Sequence, residues 1–551
     1  MHYIILFFLA CPLWRLSVAQ YFAEKINRRM YMKTNMTKKQ KWIPAPGLLD
    51  LMQTVLMIPG NIFFRAACTS FDTFYRTLKF LSPKYLEWAS MKNARLAALH
   101  AASDVPAYAR FVSTGSSSGS QFPETDKDNY IRAFSTEDRC LHGVLPEKNI
   151  MIDESSGSTG TPYNWIRSQK ERKESHLAVS YFATYCFGKQ RWITINAFSM
   201  GAWATGLNMG IALQKNSIVK NTGPDIPKIL HTLSFFGPRY PYLIAGYPPF
   251  LKHLIDEARN QNFPLENYRL NGLVGGEGMS EGLRDYLQQC FGKVFSGYGA
   301  TDLEIGIAGE TPVAVAIRRL AWQRKDVRTA LFGDDCRLPM LFQYNPLMHH
   351  VEVNENRELL FTITRRSMLS PRIRYNVHDQ GGVARFDVMK RKLLSLGVDI
   401  SRLPGINGSS LMNLPFVWVF GRRDYTISVM GANIYPEDLE QCLYAETELA
   451  RATHSFCMTI SEGLGGDVRP CFLFEVNATP DGGMEEKFRR AIPEQLRKFN
   501  NDFREAWKEY PETLVPEIKL YGIGQGPFAN DKDRIKQSRL FKRQQEEQVC
   551  V

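Results

Sequence analysis

Between residues 150 and 420, short β-rich runs alternate with helical ones, and this alternation constrains the fold more than any other feature of the chain. Trp192–Asn196 and Tyr242–Ala245 have the composition of strands, whereas Pro249–Arg259 and Ser280–Cys290 have helical spacing of apolar residues. Ser280 stands where an N-cap is expected. Alternating β and α units predict a parallel or mixed sheet covered by helices, that is, an α/β fold.

The sequence predicts a division into three parts. A chain of 551 residues is long enough for two or more domains. Residues 1–42 are an apolar leader followed by a basic tail, and residues 43–420 form a large domain that begins with helices up to about residue 110. The turn Gly421–Asp424 opens a smaller, differently patterned C-terminal domain, residues 421–551.

The charge distribution argues against a nucleic-acid partner. The net charge is +12, but residues 25–49 contain seven Lys and Arg residues and no acid, so this tail carries more than half of the excess. No zinc-finger, RNP or KH pattern accompanies it. Ten cysteines are scattered singly without a C-x-x-C pair, which favours a reducing compartment and gives no sign of a zinc ribbon.

The apolar run Ile4–Trp14 leaves two interpretations open. It resembles the core of a signal peptide, but it is too short to span a bilayer, and the positive charges follow it, which favours a cytoplasmic body. The segment is either a peripheral anchor, with contact to anionic lipid through the tail, or the result of a start assigned too early. Met30, Met32 and Met36 offer later starts.

The stretch Ser155–Pro162 concentrates hydroxyls and glycines in one short turn. Glycines allow backbone N–H groups to point at a shared centre, and hydroxyls add rotatable donors, so such a loop can surround phosphate oxygens. The order of a Walker loop and its lysine are missing. A flexible connector is the alternative.

Further polar clusters follow in order. Leu273–Glu277 predicts a strand that ends in a glycine turn, and Ser296–Asp302 predicts a second polar glycine loop. Arg372–Asp379 is an extended basic and aromatic run that ends in an acid, and Gly421–Asp424 is an Arg-Asp turn. Together they supply what an adenine nucleotide needs: N–H donors, a ring for the base, a carboxylate for the ribose and a cation.

With these motifs in this order over residues 120–540, the chain resembles the adenylate-forming superfamily of acyl-CoA synthetases, nonribosomal adenylation domains and luciferases. Its motifs are most similar to phenylacetate-CoA ligases and capsular-biosynthesis relatives. The resemblance implies a large N-terminal adenylation domain with helix-covered mixed β-sheets, and a small α+β C-terminal domain that rotates. It also implies ATP, Mg²⁺ and coenzyme A as cofactors.

The resemblance assigns a role to individual residues of the nucleotide site. The phosphate loop would be formed by Ser155, Ser156, Gly157, Ser158, Thr159 and Gly160, with Thr161 in place of the family's lysine. Tyr298 and Gly299 match the turn that stacks on adenine, and Thr301 follows them. Asp302, where relatives have glutamate, is the expected Mg²⁺ ligand, with Glu304 as the alternative.

The resemblance also implies roles for residues at the ribose, at the hinge and at the catalytic lysine position. Asp379 matches the ribose-binding acid, with His378 where the family has glycine, and Arg422 matches the arginine that contacts ribose or phosphate. Asp424 matches the hinge. Lys532 is the expected catalytic lysine, with Lys536 as the alternative, and Asp302 and Thr159 complete the catalytic set.

A pocket for the acyl group is expected between the two loops. It would be lined by Phe198, Met200, Trp203 and Tyr247. Core packing is an equally good explanation of these aromatic residues.

Three functions remain open at this stage. The first is ATP-dependent activation of a carboxylic acid to an acyl-adenylate with transfer to coenzyme A. The second is adenylation with transfer to an amine, a carrier-protein thiol or a protein cysteine. The third, in which the protein is not an enzyme, is non-catalytic binding of a nucleotide or acyl ligand.

Overall fold

The architecture comes from a computed structural model, which describes residues 69–114, 122–155, 163–335, 337–408, 411–422, 427–430, 432–462, 468–529 and 540. The chain divides into two compact units. The first contains the described residues up to 148 together with 346–350 and 361–375, and the second contains 149–345, 351–360 and the described residues from 376 onward.

The first unit is helical at its beginning. Its helices are α1 Phe71–Phe80, α2 Pro83–Asp104 and α3 Pro106–Thr114, followed by short turns of helix at Lys127–Ile131 and Leu141–Gly143. Ser70 and Ser82 cap α1 and α2, because their hydroxyls accept the amides of Thr73 and Tyr85. The helical prediction is confirmed for the described part of residues 43–110; residues 43–68 lie outside the described residues.

The second unit is built on one large sheet. The described residues between 150 and 422 form strands β1 Ile150–Glu154, β2 Asn164–Ser168, β3 Ile193–Asn196, β4 Ile218–Asn221, β5 Pro241–Gly246, β6 Arg269–Gly275, β7 Phe291–Ala300, β8 Glu304–Gly309, β9 Met340–Tyr344, β10 His349–Val353, β11 Glu358–Ile363, β12 Tyr375–Ala384 and β13 Phe416–Arg422. Among the described residues, eleven of these strands pair in the order β10-β11-β12-β13-β9-β8-β7-β6-β5-β3-β4.

Helices connect the strands of this sheet. They are α4 Gln169–Phe187, α5 Ala204–Leu213, α6 Ile226–Phe236, α7 Pro248–Asn260, α8 Glu281–Leu287, α9 Pro312–Gln323, α10 Lys325–Phe332 and α11 Phe386–Ser395, with short 3₁₀ turns at Leu265–Asn267 and Ile400–Arg402. Ser280 caps α8 by accepting the Leu283 amide, as predicted. That helix ends at Leu287, three residues before the predicted end.

The sheet changes character at β7. Strands β4, β3, β5, β6 and β7 pair in parallel, whereas β7–β8, β8–β9, β9–β13 and β12–β13 are antiparallel. Helices can return the chain between parallel strands, and hairpins suffice on the antiparallel side. The mixed, helix-covered sheet that the sequence predicts is confirmed.

A smaller α+β layer follows in the same unit. It comprises β14 Ile427–Val429, β15 Ala432–Ile434, β16 Thr453–Glu462, β17 Val468–Val476 and β18 Glu517–Gly522 with α12 Pro436–Ala445, α13 Thr447–Ala452, α14 Gly482–Phe499, α15 Asn501–Glu509 and α16 Pro511–Leu514, and a 3₁₀ turn at Gly526–Phe528. Phe456, Phe472, Phe474, Phe488 and Phe503 lie in its common core.

Two hydrogen bonds join this layer to helices that precede it in the chain. The Ser280 amide donates to Glu440 Oε2 over 2.9 Å, and Lys252 Nζ donates to the Thr453 carbonyl over 2.8 Å. The boundary at residue 421 remains a prediction. Among the described residues, no helix has both the length and the apolar composition to cross a membrane.

Candidate functional site

Several predicted site residues follow the carboxyl ends of parallel strands. Strand β3 ends at Asn196 just before Phe198, β5 ends at Gly246 just before Tyr247, and β7 ends at Ala300 just before the turn with Asp302. Because carboxyl ends of parallel strands meet at one edge of a sheet, these segments share that edge. Ligands of open α/β sheets bind at such an edge.

The segment predicted as a second glycine loop is largely a strand, so that part of the prediction is wrong. Residues Ser296–Ala300 belong to β7 and pair antiparallel with β8, and the turn is confined to residues 301–303. A Cβ on Gly299 would lie 2.8 Å from the Glu304 carbonyl oxygen. This glycine therefore permits two backbones to approach closely, and the approach makes the turn tight.

The structure brings three predicted nucleotide residues together. Tyr298 Oη donates a hydrogen bond of 2.6 Å to Asp379 Oδ2. Asp379 on β12 lies opposite Arg422 in the register with β13. A bond to a carboxylate is charge-assisted and fixes the acid in place. Tyr298, Asp379 and the backbone of Arg422 thus form one group, although they are far apart in sequence.

His378 occupies a backbone conformation that glycine favours. Its φ is +62°, in the left-handed region, which accounts for glycine at this position in the family that the motifs resemble. Its amide donates to Asn376 Oδ1 over 2.7 Å, and its Nδ1 lies 3.6 Å from Glu358 Oε1. These contacts help to hold an unfavourable conformation next to Asp379.

The predicted phosphate loop connects the two strands of a hairpin. Strands β1 and β2 pair antiparallel from Ile150 opposite Ser168 to Glu154 opposite Asn164. The Ser155 amide donates to the Tyr163 carbonyl over 3.0 Å, and the Tyr163 amide donates to Ser155 Oγ over 2.9 Å. Ser155 therefore closes the hairpin, and Ser156, Gly157, Ser158, Thr159 and Gly160 lie outside the described residues.

The acidic turn after β7 lies close to a small polar cavity. Asp302 is half-buried in the turn, and Glu304 begins β8 as a buried side chain. A cavity of about 20 Å³, near the size of one water molecule, is lined by Thr301 and Glu304 and by polar residues of β1, β2, α4 and α5. Those polar residues include Asp153, Arg167, Glu171, Arg172, His176 and Asn208.

Hydrogen bonds order the polar side chains around this cavity. Asn208 Oδ1 is 2.9 Å from both Arg172 Nε, which donates to it, and His176 Nε2. Asn208 Nδ2 donates to Asp153 Oδ1 over 3.2 Å. Burial lowers the pKa of His176, so this imidazole is held in its neutral form near pH 7.

The residues predicted to line an acyl pocket have different environments. Phe198 and Tyr247 lie in the core cluster beside the parallel strands, with their rings edge to face at 5.1 Å. Burial raises the pKa of Tyr247 to about 12. Met200 and Trp203 are only partly buried. Their role towards an acyl group stays a prediction.

Some predicted residues cannot be placed. Thr159, Asp424, Lys532 and Lys536 lie outside the described residues, as does the side chain of Arg422. Sequence reasoning missed Arg167, which donates from Nη2 to the Thr301 carbonyl over 2.5 Å. The available signal was a single arginine directly after the apolar residues Trp165 and Ile166 in a short run, because a cation buried by such a run needs specific partners.

Comparison with solved structures identifies the fold. Two crystal structures of 2-hydroxyisobutyryl-CoA ligase in the postadenylation state, in complex with R3-HIB-AMP and with 2-HIB-AMP, each match with a TM-score of 0.60 and 13% sequence identity. Each match covers 85% of this chain and 92% of the other. No family model matches the chain, and a search of curated proteins finds no similar sequence. The chain therefore shares the fold of this ligase.

Proposed function

We propose that the protein activates a carboxylic acid with ATP to give an acyl-adenylate and pyrophosphate, and then transfers the acyl group to coenzyme A. The observation that carries this proposal is the hydrogen bond from Tyr298 to Asp379, opposite Arg422. It assembles an aromatic ring, a fixed carboxylate and a cationic residue next to the edge where the strands end. The ligase that shares the fold was solved with acyl-adenylates.

In the first half-reaction, a carboxylate oxygen of the acid attacks the α-phosphorus of ATP. The bond from this phosphorus to the bridging oxygen breaks, and pyrophosphate leaves with the electron pair. Asp379 would accept hydrogen bonds from the ribose hydroxyls, held in position by Tyr298. Backbone amides and hydroxyls of residues 155–160 would bind the phosphates, and Lys532 would neutralise charge that develops on them.

In the second half-reaction, a thiolate attacks the carbonyl carbon of the acyl-adenylate and AMP leaves. This step needs coenzyme A to reach the same carbonyl. In our proposal the hinge at Asp424 permits this by movement of residues 421–551 against the large domain. The sequence motifs support a phenylacetate-CoA ligase-like subtype, with the acyl group next to Phe198 and Tyr247.

The acidic turn has the donor chemistry for Mg²⁺. Carboxylate oxygens are its preferred protein ligands, and it is commonly held by one or two of them together with substrate phosphates. Within the described ranges, no group of three or more His, Cys, Asp or Glu side chains could hold a metal alone. Asp302, with Glu304 near it, fits a metal that arrives with ATP and neutralises phosphate charge.

The experiment that tests the function is ATP–pyrophosphate exchange across a panel of aryl and aliphatic acids, with and without coenzyme A. Acid-dependent exchange together with acyl-CoA formation is the expected result. Exchange without acyl-CoA would move the proposal to another acceptor, such as an amine or a carrier-protein thiol. ATP binding without exchange for any acid would contradict enzymatic activity and favour a binding protein.

The role of Asp302 has its own test. Asp302→Asn should slow adenylation far more than thiol capture, because the negative charge of the departing pyrophosphate develops only in the first half-reaction. Asp285→Asn, an exposed acid of α8 paired with Arg319, is the matched control and should leave both half-reactions unchanged. Equal loss of both half-reactions in Asp302→Asn would count against the assignment.

A further inference from the structure

The turn that carries Asp302 and the start of β8 after it are held by side chains of β2 and α4, which are adjacent in the chain. Arg167 on β2 donates from Nη2 to the Thr301 carbonyl over 2.5 Å. Ser175 on α4 donates from Oγ to the Ile305 carbonyl over 2.9 Å. These two carbonyls flank residues 302–304. The position of the acidic turn is thus set by residues that follow the predicted phosphate loop, not by the hairpin β7–β8 alone.

Arg167 also contacts the strand that leads into the phosphate loop. Its Nε lies 3.7 Å from Asp153 Oδ2, and its Nη1 lies 3.9 Å from Glu171 Oε1. Asp153 stands two residues before Ser155 and is itself oriented by the Asn208 amide. One guanidinium therefore connects the strand before the phosphate loop, the helix after it and the acidic turn.

The burial of this arginine makes the connection specific. Arg167 is only 5% exposed, and Asp153 and Glu171 are also buried. In such a site a planar guanidinium can serve several acceptors in fixed directions, whereas a lysine ammonium on a flexible stem cannot reproduce them. Loss of the guanidinium would leave Asp153 and Glu171 with less buried cationic charge, and the Thr301 carbonyl without this donor.

We propose that Arg167 is a positioning residue: it fixes the turn 301–303 relative to the strand before the phosphate loop, so that the Asp302 side chain faces the phosphates of ATP. The link to ATP rests on the proposed function, whereas the fixation of the turn does not. Arg167 itself does not contact the reacting atoms in this proposal. It acts through the backbone of Thr301.

The test compares Arg167→Gln with Arg167→Lys in the full chain. Hydrogen–deuterium exchange of peptides covering residues 298–309 is measured first, because it requires no activity. Both variants should exchange faster there than the wild type, Gln more than Lys. In ATP–pyrophosphate exchange, the ATP concentration for half-maximal rate should rise about tenfold in Arg167→Gln, while that for the acid stays unchanged.

Arg318→Gln is the matched control. Like Arg167, Arg318 is buried and contacts both backbone carbonyl and carboxylate oxygens. Its partners are different: the carbonyls of Pro339 and Met279 and the carboxylate of Glu281. Its loss should reduce stability without selective exchange at 298–309 or a change in the ATP requirement. Arg167→Lys keeps the charge and serves as the second variant if Arg167→Gln does not fold.

The outcomes separate the two proposals. Unchanged exchange at residues 298–309 in a folded Arg167 variant would overturn the inference, whatever the activity. Faster exchange with an unchanged ATP requirement in an active enzyme would also overturn it. If the wild type shows no acid-dependent activity, the proposed function fails, and the exchange measurement alone still decides whether Arg167 fixes the turn.

Discussion

The buried ion pairs around Arg284 and those around Arg167, both in the second unit, differ in the backbone segments that the two arginines contact. In the Arg284 cluster, Arg284 pairs with Glu281 at 2.9 Å and with Glu310 at 2.5 Å, and all three side chains are fully buried. Arg318 pairs with the same Glu281. In the Arg167 cluster, Arg167 pairs with Asp153 and Glu171 beside a cavity and contacts the turn at Thr301.

The difference shows that burial and charge pairing alone do not indicate a functional site. The Arg284 cluster joins β7, α8 and the end of β8, and the Arg284 and Glu310 side chains bond to the backbone of β7, at the Val294 carbonyl and the Ser296 amide. Its partners are regular elements of the core. The Arg167 cluster ends on a turn and on the strand before a glycine-rich loop. In our proposal, the structural role of Arg284 and the positioning role of Arg167 differ in which backbone the cation reaches.

The largest expected effect concerns the Arg284 cluster. Arg284→Met would leave Glu281 and Glu310 with less buried cationic charge, and we expect a loss of about 3–5 kcal/mol in the free energy of unfolding. Urea unfolding measures this loss. At urea concentrations well below the unfolding transition, the ATP concentration for half-maximal exchange should stay unchanged. A higher ATP concentration for half-maximal exchange in this variant would show that the Arg284 cluster also affects ATP binding, and would contradict the difference between the two clusters.

A control for this variant exists in the same cluster. Arg319 lies 3.2 Å from Glu281 but is 35% exposed, so Arg319→Gln should cost only about 1 kcal/mol or less. A similar cost for both variants would contradict the importance of burial.

A second prediction concerns the buried carboxyl of Asp438. Burial raises the pKa of Asp438 to about 6, although the Tyr435 amide and Asn500 donate to it. Since the unfolded carboxyl ionises near pH 4, the native state binds more protons between pH 4 and 6, and its stability falls as the pH rises through this window. The loss amounts to about 3 kcal/mol and is complete above pH 6.

Asp438→Asn should therefore remove this fall and be more stable than the wild type at pH 7. Urea unfolding at pH 4, 5, 6 and 7 tests it. Glu486→Gln, which changes an exposed carboxyl on α14, is the control and should retain the wild-type slope. An unchanged slope in Asp438→Asn would show that this carboxyl ionises normally in the folded protein.

The third prediction concerns the nucleotide side. Tyr298→Phe removes the donor that fixes Asp379 but keeps the ring, so the ATP concentration for half-maximal exchange should rise roughly tenfold, as expected for one charge-assisted hydrogen bond. The measurement is the ATP dependence of pyrophosphate exchange. Tyr242→Phe is the control: its hydroxyl donates to the Gly237 carbonyl over 2.7 Å, so its loss should affect stability and not the ATP requirement.

The smallest expected effect concerns the backbone beside Asp379. The backbone of His378 is in the left-handed region, where a Cβ causes strain and glycine does not. His378→Gly should therefore be more stable than His378→Ala by about 1 kcal/mol. Both variants lose the contact with Glu358, so their difference isolates the backbone. Equal unfolding midpoints in urea would show that the surrounding contacts, and not strain, determine this conformation.

The sequence predicted the elements of the fold better than the contacts of the site. Apolar spacing placed the strand at 242–245 and the helix at 249–259 within a residue or two, because such patterns reflect which face is buried. The glycines of Ser296–Ala300 suggested a loop, whereas pairing with β8 makes this segment a strand. Such pairing is a tertiary effect that local composition does not contain.

Contacts between residues far apart in the chain could not be predicted from local composition either, because they are also tertiary. The carbonyl that Arg167 contacts lies 134 residues later, and the Asp379 that Tyr298 contacts lies 81 residues later. Motif resemblance brought Tyr298 and Asp379 into one site. The resemblance assigned no role to Arg167, because this residue belongs to none of the motifs and its hydrogen bond goes to the backbone carbonyl of Thr301.

The strand order has a consequence for synthesis of the protein. Strand β13, residues 416–422, lies between β9 and β12, which both precede it in the chain. Until residue 422 has left the ribosome, β9 and β12 each present an unpaired edge at what becomes the middle of the sheet. Exposed edges of this kind recruit other strands. A nascent chain interrupted between residues 385 and 415 should thus be the form most prone to aggregation and most dependent on chaperones.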